Sequence, residues 1–202
     1  MKRSRFGNWR FLGVCMVLML QGNALASDRV KELVTRRCSE CHGPNGQSSN
    51  GNFPKLAGQN AEYLLRQMFN FSSGARSSTV MVPQLSDLTG DDMVSLANHF
   101  SSQKLAPEPL VDKALATAGR KLYLEGNPLT GITACASCHG PTARGAQMLP
   151  RMAGQHAEYL ELQLRRFIAQ SRTTDRMLMH SVASRMTDAE IRSTAYFLSV
   201  LE

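Results

Sequence analysis

Apolar residues recur at intervals of three and four along most of the chain, and this spacing predicts helices. One apolar face (Val30, Leu33, Val34) lies before the first cysteine pair, and a matching face begins at Ala114. No window alternates apolar and polar residues with the period of two that a half-buried strand needs. The pattern therefore predicts an all-α chain.

Further helices are predicted by start signals that occur twice. Amphipathic segments run over 60–72 and 156–169, and later segments begin at Thr89 and Thr187. Thr187 with Glu190 forms a capping box, in which each residue satisfies the other's backbone N–H, and Thr89 with Asp92 is a weaker version. The sequence thus predicts the same helix order in both halves.

The two halves are an internal repeat. The segment 53–64 (FPKLAGQNAEYL) returns at 149–160 as LPRMAGQHAEYL. Pro107 and Pro109 flank Glu108 between the copies, and prolines so close together cannot lie in a helix interior. We predict a first unit at 27–103, a linker at 104–111 and a second unit at 112–202.

Residues 1–26 have the composition of a cleaved export signal. Four cations precede an apolar core over 11–20, and Ala24-Leu25-Ala26 is a small-x-small cleavage site, so Ser27 is the predicted first mature residue. Ten apolar residues are too few to span a bilayer, which needs about 20. A retained N-terminal anchor is the weaker alternative. The predicted location of the mature protein is the periplasm. Cys15 lies in the signal and is removed when the signal is cleaved.

All four remaining cysteines belong to two C-x-x-C-H strings, the attachment pattern of a c-type haem. Two thiols one helical turn apart can add to the two vinyl groups of one porphyrin, and the adjacent histidine can then reach the iron. A redox cysteine pair does not need the histidine, and four Cys with two His exceed one tetrahedral zinc. We predict two covalently bound haem c groups, attached at Cys38, Cys41, Cys135 and Cys138, with His42 and His139 as axial ligands.

Methionines at matching repeat positions are the candidates for the second axial position. Met81 and Met179 each lie in a polar segment, predicted as a loop, before a capped helix, and methionine is a known haem ligand. Met177 is a close rival of Met179. His180 is another, in the second unit alone, since its repeat partner Val82 cannot bind iron.

Supporting residues also recur in pairs. Pro54 and Pro150 follow the histidines at similar distances, and each can free a backbone carbonyl to accept the proximal N–H. Candidate donors to the haem propionates are Arg76 and Arg172, before the methionine segments, and Tyr63 and Tyr159, on the middle helices. Ordinary loop, surface and core roles are the alternatives for these six residues.

Charge argues against nucleic acid as a partner. The formal charge is +7, and removal of the four cations of residues 1–26 leaves +3. Two haems add four propionates, only partly offset by the irons, so the holoprotein is close to neutral. The basic isoelectric point of the full chain therefore does not indicate a nucleic-acid-binding protein.

The duplicated C-x-x-C-H, the repeated segment from Pro54 to Leu64 and the two methionine segments resemble the dihaem cytochrome c4 family over residues 27–202. The resemblance implies two tandem class I cytochrome c domains, each wrapped around one covalently attached haem, with the haems near a pseudo-twofold interface. It also implies a periplasmic carrier of single electrons from a quinol-oxidising complex toward a terminal oxidase, and it strengthens the roles of Pro54 and Pro150.

The chain departs from the family pattern at three places. His99 stands where a tyrosine is usual, the haem loop at 141–145 lacks a glycine at 142 or 143, and Pro54 to Met81 spans 27 residues against 29 from Pro150 to Met179. These departures leave the ligands in place but bear on whether the two haems have equal potentials.

Two other functions compete with a free carrier. One is a dihaem electron-transfer subunit of a flavocytochrome-type dehydrogenase, and the other is a dihaem peroxidase, which needs one accessible iron. Two methionine-capped irons favour an electron carrier over an enzyme, with redox proteins as partners and no small-molecule substrate. Such a carrier is compatible with peripheral association with a membrane.

Overall fold

A computed structural model describes residues 28–202. The predicted signal at 1–26 and the predicted first mature residue, Ser27, lie outside the described residues. The first unit contains α1 (28–42), α2 (Ala61–Ser72), α3 (Met81–Leu85) and α4 (Gly90–Ser101). The second contains α5 (Lys113–Glu125), α6 (Ala136–His139), α7 (Ala157–Ile168), α8 (Leu178–Ala183) and α9 (Asp188–Ser199).

The all-α prediction is confirmed. The single β feature among the described residues is an isolated antiparallel bridge between Asn127 and Ile132. In α1 a π-helical stretch, Val34–Cys38, runs directly into an α-helical turn, Ser39–His42. Such π-turns are rare and frequently occur at functional sites. Within 28–202 no helix is both long and apolar enough to cross a bilayer.

Both closing helices begin as the sequence predicts. Thr89 and Thr187 are the N-caps of α4 and α9, and each forms a complete capping box. The Asp92 side chain accepts the Thr89 N–H as the Glu190 side chain accepts the Thr187 N–H. The shorter aspartate is therefore long enough to complete a capping box here. These caps satisfy amides that the first helical turn leaves without partners.

The methionine segments differ from the prediction, because they are helical rather than loops. Met81 begins α3, and Met179 is the second residue of α8. Polar side chains upstream satisfy the first-turn amides: Ser78 Oγ accepts the Met81 N–H at 3.0 Å, and Asp175 Oδ2 accepts the Met179 N–H at 2.5 Å. The polarity that suggested loops therefore supplies local caps for two short helices.

Each unit has its own apolar core. Leu33 of α1 and Leu64 of α2 pack with Leu96 and Phe100 of α4 in the first unit. In the second unit the corresponding core includes Tyr123, Leu160, Ala195, Phe197 and Leu198. Helix α5 lies so close to α9 that a Cβ on Gly119 would come within 1.9 Å of the Ser193 carbonyl oxygen. Only glycine permits that approach.

The repeated segment joins the two units through two equivalent glutamines. The Gln155 side chain accepts the Lys55 N–H and donates to the Lys55 carbonyl, both at 2.8 Å. The Gln59 side chain does the same to Arg151, at 2.6 and 2.8 Å. Each glutamine thus pairs with the backbone of the other unit, and the interface has approximate twofold symmetry.

The linker breaks this symmetry because it passes along one side of the interface. The Lys55 ammonium donates to the Ala106 and Gly154 carbonyls, both at 3.0 Å. His156 Nδ1 lies 2.7 Å from a Glu108 carboxylate oxygen, and its Nε2 lies 2.8 Å from the Ser48 carbonyl. The repeat partner of His156 is Asn60, which instead donates to the Leu149 carbonyl at 2.6 Å.

Candidate haem centres

A cavity of about 730 Å³ extends through both units, between their cysteine–histidine motifs. The first unit contributes Cys38, Cys41, His42 and Met81 to its lining. The second contributes Cys135, Cys138, His139 and Met179. The structure therefore brings each motif and its matching methionine to one largely apolar space.

The cysteines are thiols held in or near this cavity, and none forms a disulfide within the described residues. Burial raises the pKa of Cys38 to about 11, and it raises the pKa of Cys135 to about 11 as well. A redox-active cysteine pair works through a thiol whose pKa is lowered. The raised values therefore argue against the redox-pair alternative and fit side chains that serve as attachment points.

Both histidines are buried, and each faces the carbonyl of its matching proline, although only His42 does so within hydrogen-bonding geometry. His42 Nδ1 lies 2.8 Å from the Pro54 carbonyl oxygen, which leaves Nε2 for a metal. Burial lowers the pKa of both His42 and His139, although the Pro54 and Pro150 carbonyls oppose the lowering. His139 Nδ1 has no acceptor in hydrogen-bonding geometry among residues 28–202. A neutral imidazole is the form that ligates iron.

The rivals of Met179 lie outside the cavity lining. Met177 precedes α8 in a left-handed conformation, with φ of 67°. His180 Nδ1 lies 3.0 Å from the Phe167 carbonyl oxygen, and His180 is not part of the cavity lining. Of these three neighbouring side chains, Met179 alone lines the space that holds the second motif.

The recurring arginines and tyrosines bond across the interface. Arg76 donates to Tyr159 of the second unit at 3.1 Å, and Arg172 donates to Tyr63 of the first at 2.8 Å. Gln163 accepts from both guanidinium groups, at 2.9 Å from Arg76 and 2.8 Å from Arg172. The sequence singled out these arginines and tyrosines individually but did not predict their exchange between units.

These guanidinium groups are buried cations that bond to neutral side chains. Arg76 is 6% and Arg172 8% exposed, and neither forms a salt bridge to a carboxylate of the described chain. Arg172 Nε is buried without a partner among those residues. Burial by itself would raise the pKa of Tyr63, but Arg172 and Arg76 outweigh it and lower that pKa. Buried cations need anions nearby, and haem propionates have the required charge and reach.

Sequence reasoning missed the glutamines in these networks. Gln67 accepts from Arg76 at 2.7 Å, and its repeat partner Gln163 accepts from Arg172. The signal was available, because Tyr, Gln and Arg recur with identical spacing at 63, 67, 76 and at 159, 163, 172. When two copies of a segment face each other across a twofold axis, a residue of one copy can bond to a different residue of the other copy.

A second group of metal-ligand types lies at the linker. Carboxylate oxygens of Glu108 and Glu158 and a ring nitrogen of His156 come within 4.8 Å of one another. Both His156 nitrogens already face oxygen acceptors, and the Lys55 ammonium interacts with both carboxylates. Burial lowers the pKa of Lys55, and the two carboxylates oppose that lowering. The group is arranged around the His156–Glu108 pair, with the Lys55 ammonium nearby, rather than as a metal centre.

Comparisons with known proteins agree with this arrangement. The cytochrome c family model matches residues 27–104 and 116–202. A cytochrome c4 of Thiocapsa roseopersicina is 38% identical over 81% of this chain and 86% of its own length. A thiosulfate dehydrogenase electron acceptor of Thiomonas intermedia is 38% identical over 80% of this chain and 77% of its own.

A solved structure gives the same result for the fold. Reduced recombinant cytochrome c4 from Pseudomonas stutzeri superposes with a TM-score of 0.82 and 34% identity, over 88% of this chain and 98% of that one. Two family-model matches, two attachment motifs and relatives that cover more than four fifths of this chain together imply two covalently bound haem c groups. The chain belongs to the cytochrome c family and, within it, to the dihaem cytochromes c4.

Proposed function

We propose that this dihaem electron carrier works in the periplasm, where it takes single electrons from a quinol-oxidising complex and passes them toward a terminal oxidase. Membership in the cytochrome c4 family supports the carrier function. The composition of residues 1–26 supports export. Donor and acceptor are proposed as redox proteins that dock on the surface.

The proposed attachment residues are Cys38 and Cys41 in the first unit and Cys135 and Cys138 in the second. The proposed axial pairs are His42 with Met81 and His139 with Met179. The observation that carries the assignment is that both sets line one cavity, while Met177 and His180 do not.

The residues around the cavity perform the work of an electron carrier. When bound, each haem supplies a one-electron Fe(III)/Fe(II) couple. The Pro54 carbonyl fixes the His42 ring, so this ligand does not reorganise during transfer. Ligation by Met81 and Met179 would exclude small ligands and favour a high potential. Arg76 and Arg172 place positive charge where propionates would otherwise be buried without compensation.

The same arrangement disfavours catalysis. A haem enzyme needs an iron position that substrate or oxidant can occupy. Met81 and Met179 recur at equivalent positions of the cavity lining, so both units are proposed to be closed. The dihaem peroxidase alternative requires one of them to be open.

A redox titration of the holoprotein, with spectra recorded at each potential, tests this proposal together with carbon monoxide addition. We expect two one-electron transitions, the spectrum of histidine–methionine ligation at both haems, and no rapid binding of carbon monoxide to the reduced protein. Rapid binding at either haem would show an open iron and contradict the closed-carrier proposal.

A second candidate function is that of a dedicated electron acceptor for a dehydrogenase. A relative that covers 80% of this chain is named a thiosulfate dehydrogenase electron acceptor. The flavocytochrome-type subunit expected from the sequence belongs to the same class of function. Purification under native conditions separates the two functions. A stable stoichiometric complex with a dehydrogenase supports the dedicated acceptor, whereas a free monomer or homo-oligomer supports the diffusing carrier.

A further inference from the structure

The turn before Met179 has a backbone conformation that the first unit lacks. Arg176 and Met177 are consecutive non-glycine residues in the left-handed region, with φ of 58° and 67°. None of the non-glycine residues with positive φ in the described chain belongs to the first unit. Each such residue costs about 1 kcal/mol, and strain of this kind persists only where the surroundings impose it. The strained pair lies in the segment that is two residues longer in the second unit.

Hydrogen bonds hold this turn in place. The Arg176 N–H donates to the Thr173 carbonyl at 3.2 Å, and the Met179 N–H donates to Asp175 Oδ2 at 2.5 Å. Ser181 Oγ donates to the Leu178 carbonyl at 2.7 Å. The turn is therefore a fixed structure, in which Met179 remains in the cavity lining.

The strained turn also presents an apolar side chain at the mouth of the cavity. Leu178 lines the cavity and is nevertheless 70% exposed. Its counterpart before Met81 is Val80, which is smaller and 47% exposed. A large aliphatic side chain held outward on a rigid turn loses little entropy when a partner covers it.

Charge also distinguishes the surface around Leu178, here called the second mouth of the cavity, from the surface around Val80, the first mouth. In the first unit the cavity-lining Arg36 and Arg37 form salt bridges with Glu32 and Asp87. Arg176 is exposed and forms no salt bridge with any described residue. The second unit has eleven Lys and Arg against eight Asp and Glu, whereas the first unit has seven of each, so the second stays three charges more positive when each haem adds its two propionates. The second mouth is thus suited to an acidic surface.

We propose that the Arg176–Leu178 turn is a docking contact for a redox protein with an acidic surface, with Leu178 as the apolar anchor and Arg176 as the charge that guides approach. The proposal rests on the proposed function, because it requires a haem ligated by Met179 behind the turn. In the docked complex one electron passes from the reduced haem iron of the second unit to the oxidised metal of the partner, and no proton is transferred. Apolar anchors near the centre of an interface determine dissociation, and charges at the rim determine the association rate and its salt dependence.

Stopped-flow kinetics with the reduced holoprotein and oxidised plastocyanin, an acidic blue-copper protein, tests the proposal. We expect Leu178→Ala to lower the second-order rate constant about fivefold or more, because a docked complex that dissociates sooner transfers its electron in fewer encounters. We expect Arg176→Gln to lower it about threefold at low ionic strength and to flatten its dependence on salt. The matched changes in the first unit, Val80→Ala and Arg36→Gln, should stay within about twofold of the unmodified protein.

A small uncharged reductant separates docking from the carrier function itself. Reduction of the oxidised protein by durohydroquinone should proceed at the same rate in all four variants, which would show that both haems are intact. If Leu178→Ala and Arg176→Gln match the unmodified protein toward plastocyanin, or if the first-unit variants lose as much, the docking proposal is overturned and the carrier function stands. Failure of the unmodified protein to exchange electrons with durohydroquinone would overturn the proposed function.

Discussion

The two units have the same helix order but differ around the proposed iron ligands. His42 Nδ1 lies 2.8 Å from the Pro54 carbonyl oxygen, whereas the approach of His139 Nδ1 to the Pro150 carbonyl falls outside hydrogen-bonding geometry. Ser78 caps the Met81 amide, and Asp175, a carboxylate, caps that of Met179. The haem surroundings are therefore free to diverge between copies.

The main bonds between the units, in contrast, repeat from either side, apart from the contacts that Lys55 and His156 make beside the linker. Gln59 and Gln155 form the same two bonds to the backbone of the opposite unit, and Arg76 and Arg172 each reach a tyrosine across the boundary. Each of these bonds joins a side chain of one unit to a polar group of the other. A substitution on one side alone therefore leaves a buried polar group on the other side without a partner. The difference shows that symmetry is constrained where the units touch and relaxed where each contacts its own haem.

Loss of one methionine should produce the largest difference between the units. Met179→Ala is expected to lower the potential of one haem by more than about 0.1 V, since axial ligands set haem potentials over roughly 0.8 V. The other haem should change little, because Met81 lines the cavity from the other unit. A spectroscopic redox titration measures both potentials.

Met81→Ala is the matched variant and should affect the opposite haem. Met177→Ala serves as the control, because Met177 lies outside the cavity lining. If Met177→Ala lowers a potential and Met179→Ala does not, the assignment of Met179 is wrong.

Removal of an interface glutamine should destabilise both units together. Gln155→Ala leaves the N–H and C=O of Lys55 without partners, and Lys55 is only 5% exposed. The expected loss is about 3 kcal/mol in the free energy of unfolding, since each unpaired buried group costs about 1–3 kcal/mol. Guanidinium chloride titration measures it.

Gln59→Ala should cost a similar amount, because Gln59 makes the equivalent bonds. Gln103→Ala is the control, since the Gln103 amide bonds within its own unit to the His99 carbonyl. A large effect from one interface glutamine and none from the other would show that the interface is not symmetric.

The haem loops offer a matched exchange of glycine and alanine. Gly46 and Ala143 occupy equivalent left-handed positions, with φ of 70° and 52°. A Cβ on Gly46 would lie 2.8 Å from both the Ala57 nitrogen and Phe100 Cδ1, so Gly46→Ala should cost about 2 kcal/mol from strain and overlap.

Ala143→Gly should change the free energy of unfolding by less than about 1 kcal/mol. Relief of about 1 kcal/mol of backbone strain is offset by the loss of a buried methyl group that contributes about 0.8 kcal/mol. Thermal unfolding of both variants measures the two effects. If Ala143→Gly raises the free energy of unfolding by as much as Gly46→Ala lowers it, the Ala143 methyl group has no packing role.

An exposed salt bridge should give the smallest difference, and only at acid pH. The hydrogen bond from Arg37 lowers the pKa of Asp87 to about 2. The ordinary value is about 3.9, so this bridge stabilises the fold above about pH 4 and loses its contribution as pH falls through about 2. The Asp87→Asn variant should therefore converge with the unmodified protein as the pH falls through that range.

Asp188→Asn is the control from the second unit, where Asp188 forms an exposed bridge with Arg165 at 2.8 Å. Unfolding monitored by circular dichroism between pH 2 and pH 6 makes the comparison. A difference between Asp87→Asn and the unmodified protein that stays constant over this range would show that the bridge does not contribute through ionisation.

Much of the local structure followed from the sequence, because its causes are local. Thr89 and Thr187 begin helices since their caps lie within three residues, and the apolar spacing located the middle helices to within a residue at each end. The methionine segments were predicted as loops because of their polarity. Ser78 nevertheless caps Met81 at the same three-residue spacing as Thr89 and Asp92, and Asp175 caps Met179 from four residues away.

The sequence by itself determined the two attachment motifs, the repeat, the all-α class and the family resemblance, because each is written in short spacings or in similarity along the chain. Only the tertiary structure decided that Gln59 and Gln155 pair with opposite backbones, that each arginine reaches the other unit's tyrosine, and that the linker lies beside His156. These contacts join residues about 50 to 110 positions apart. Their formation depends on how two finished units pack, which no local pattern records.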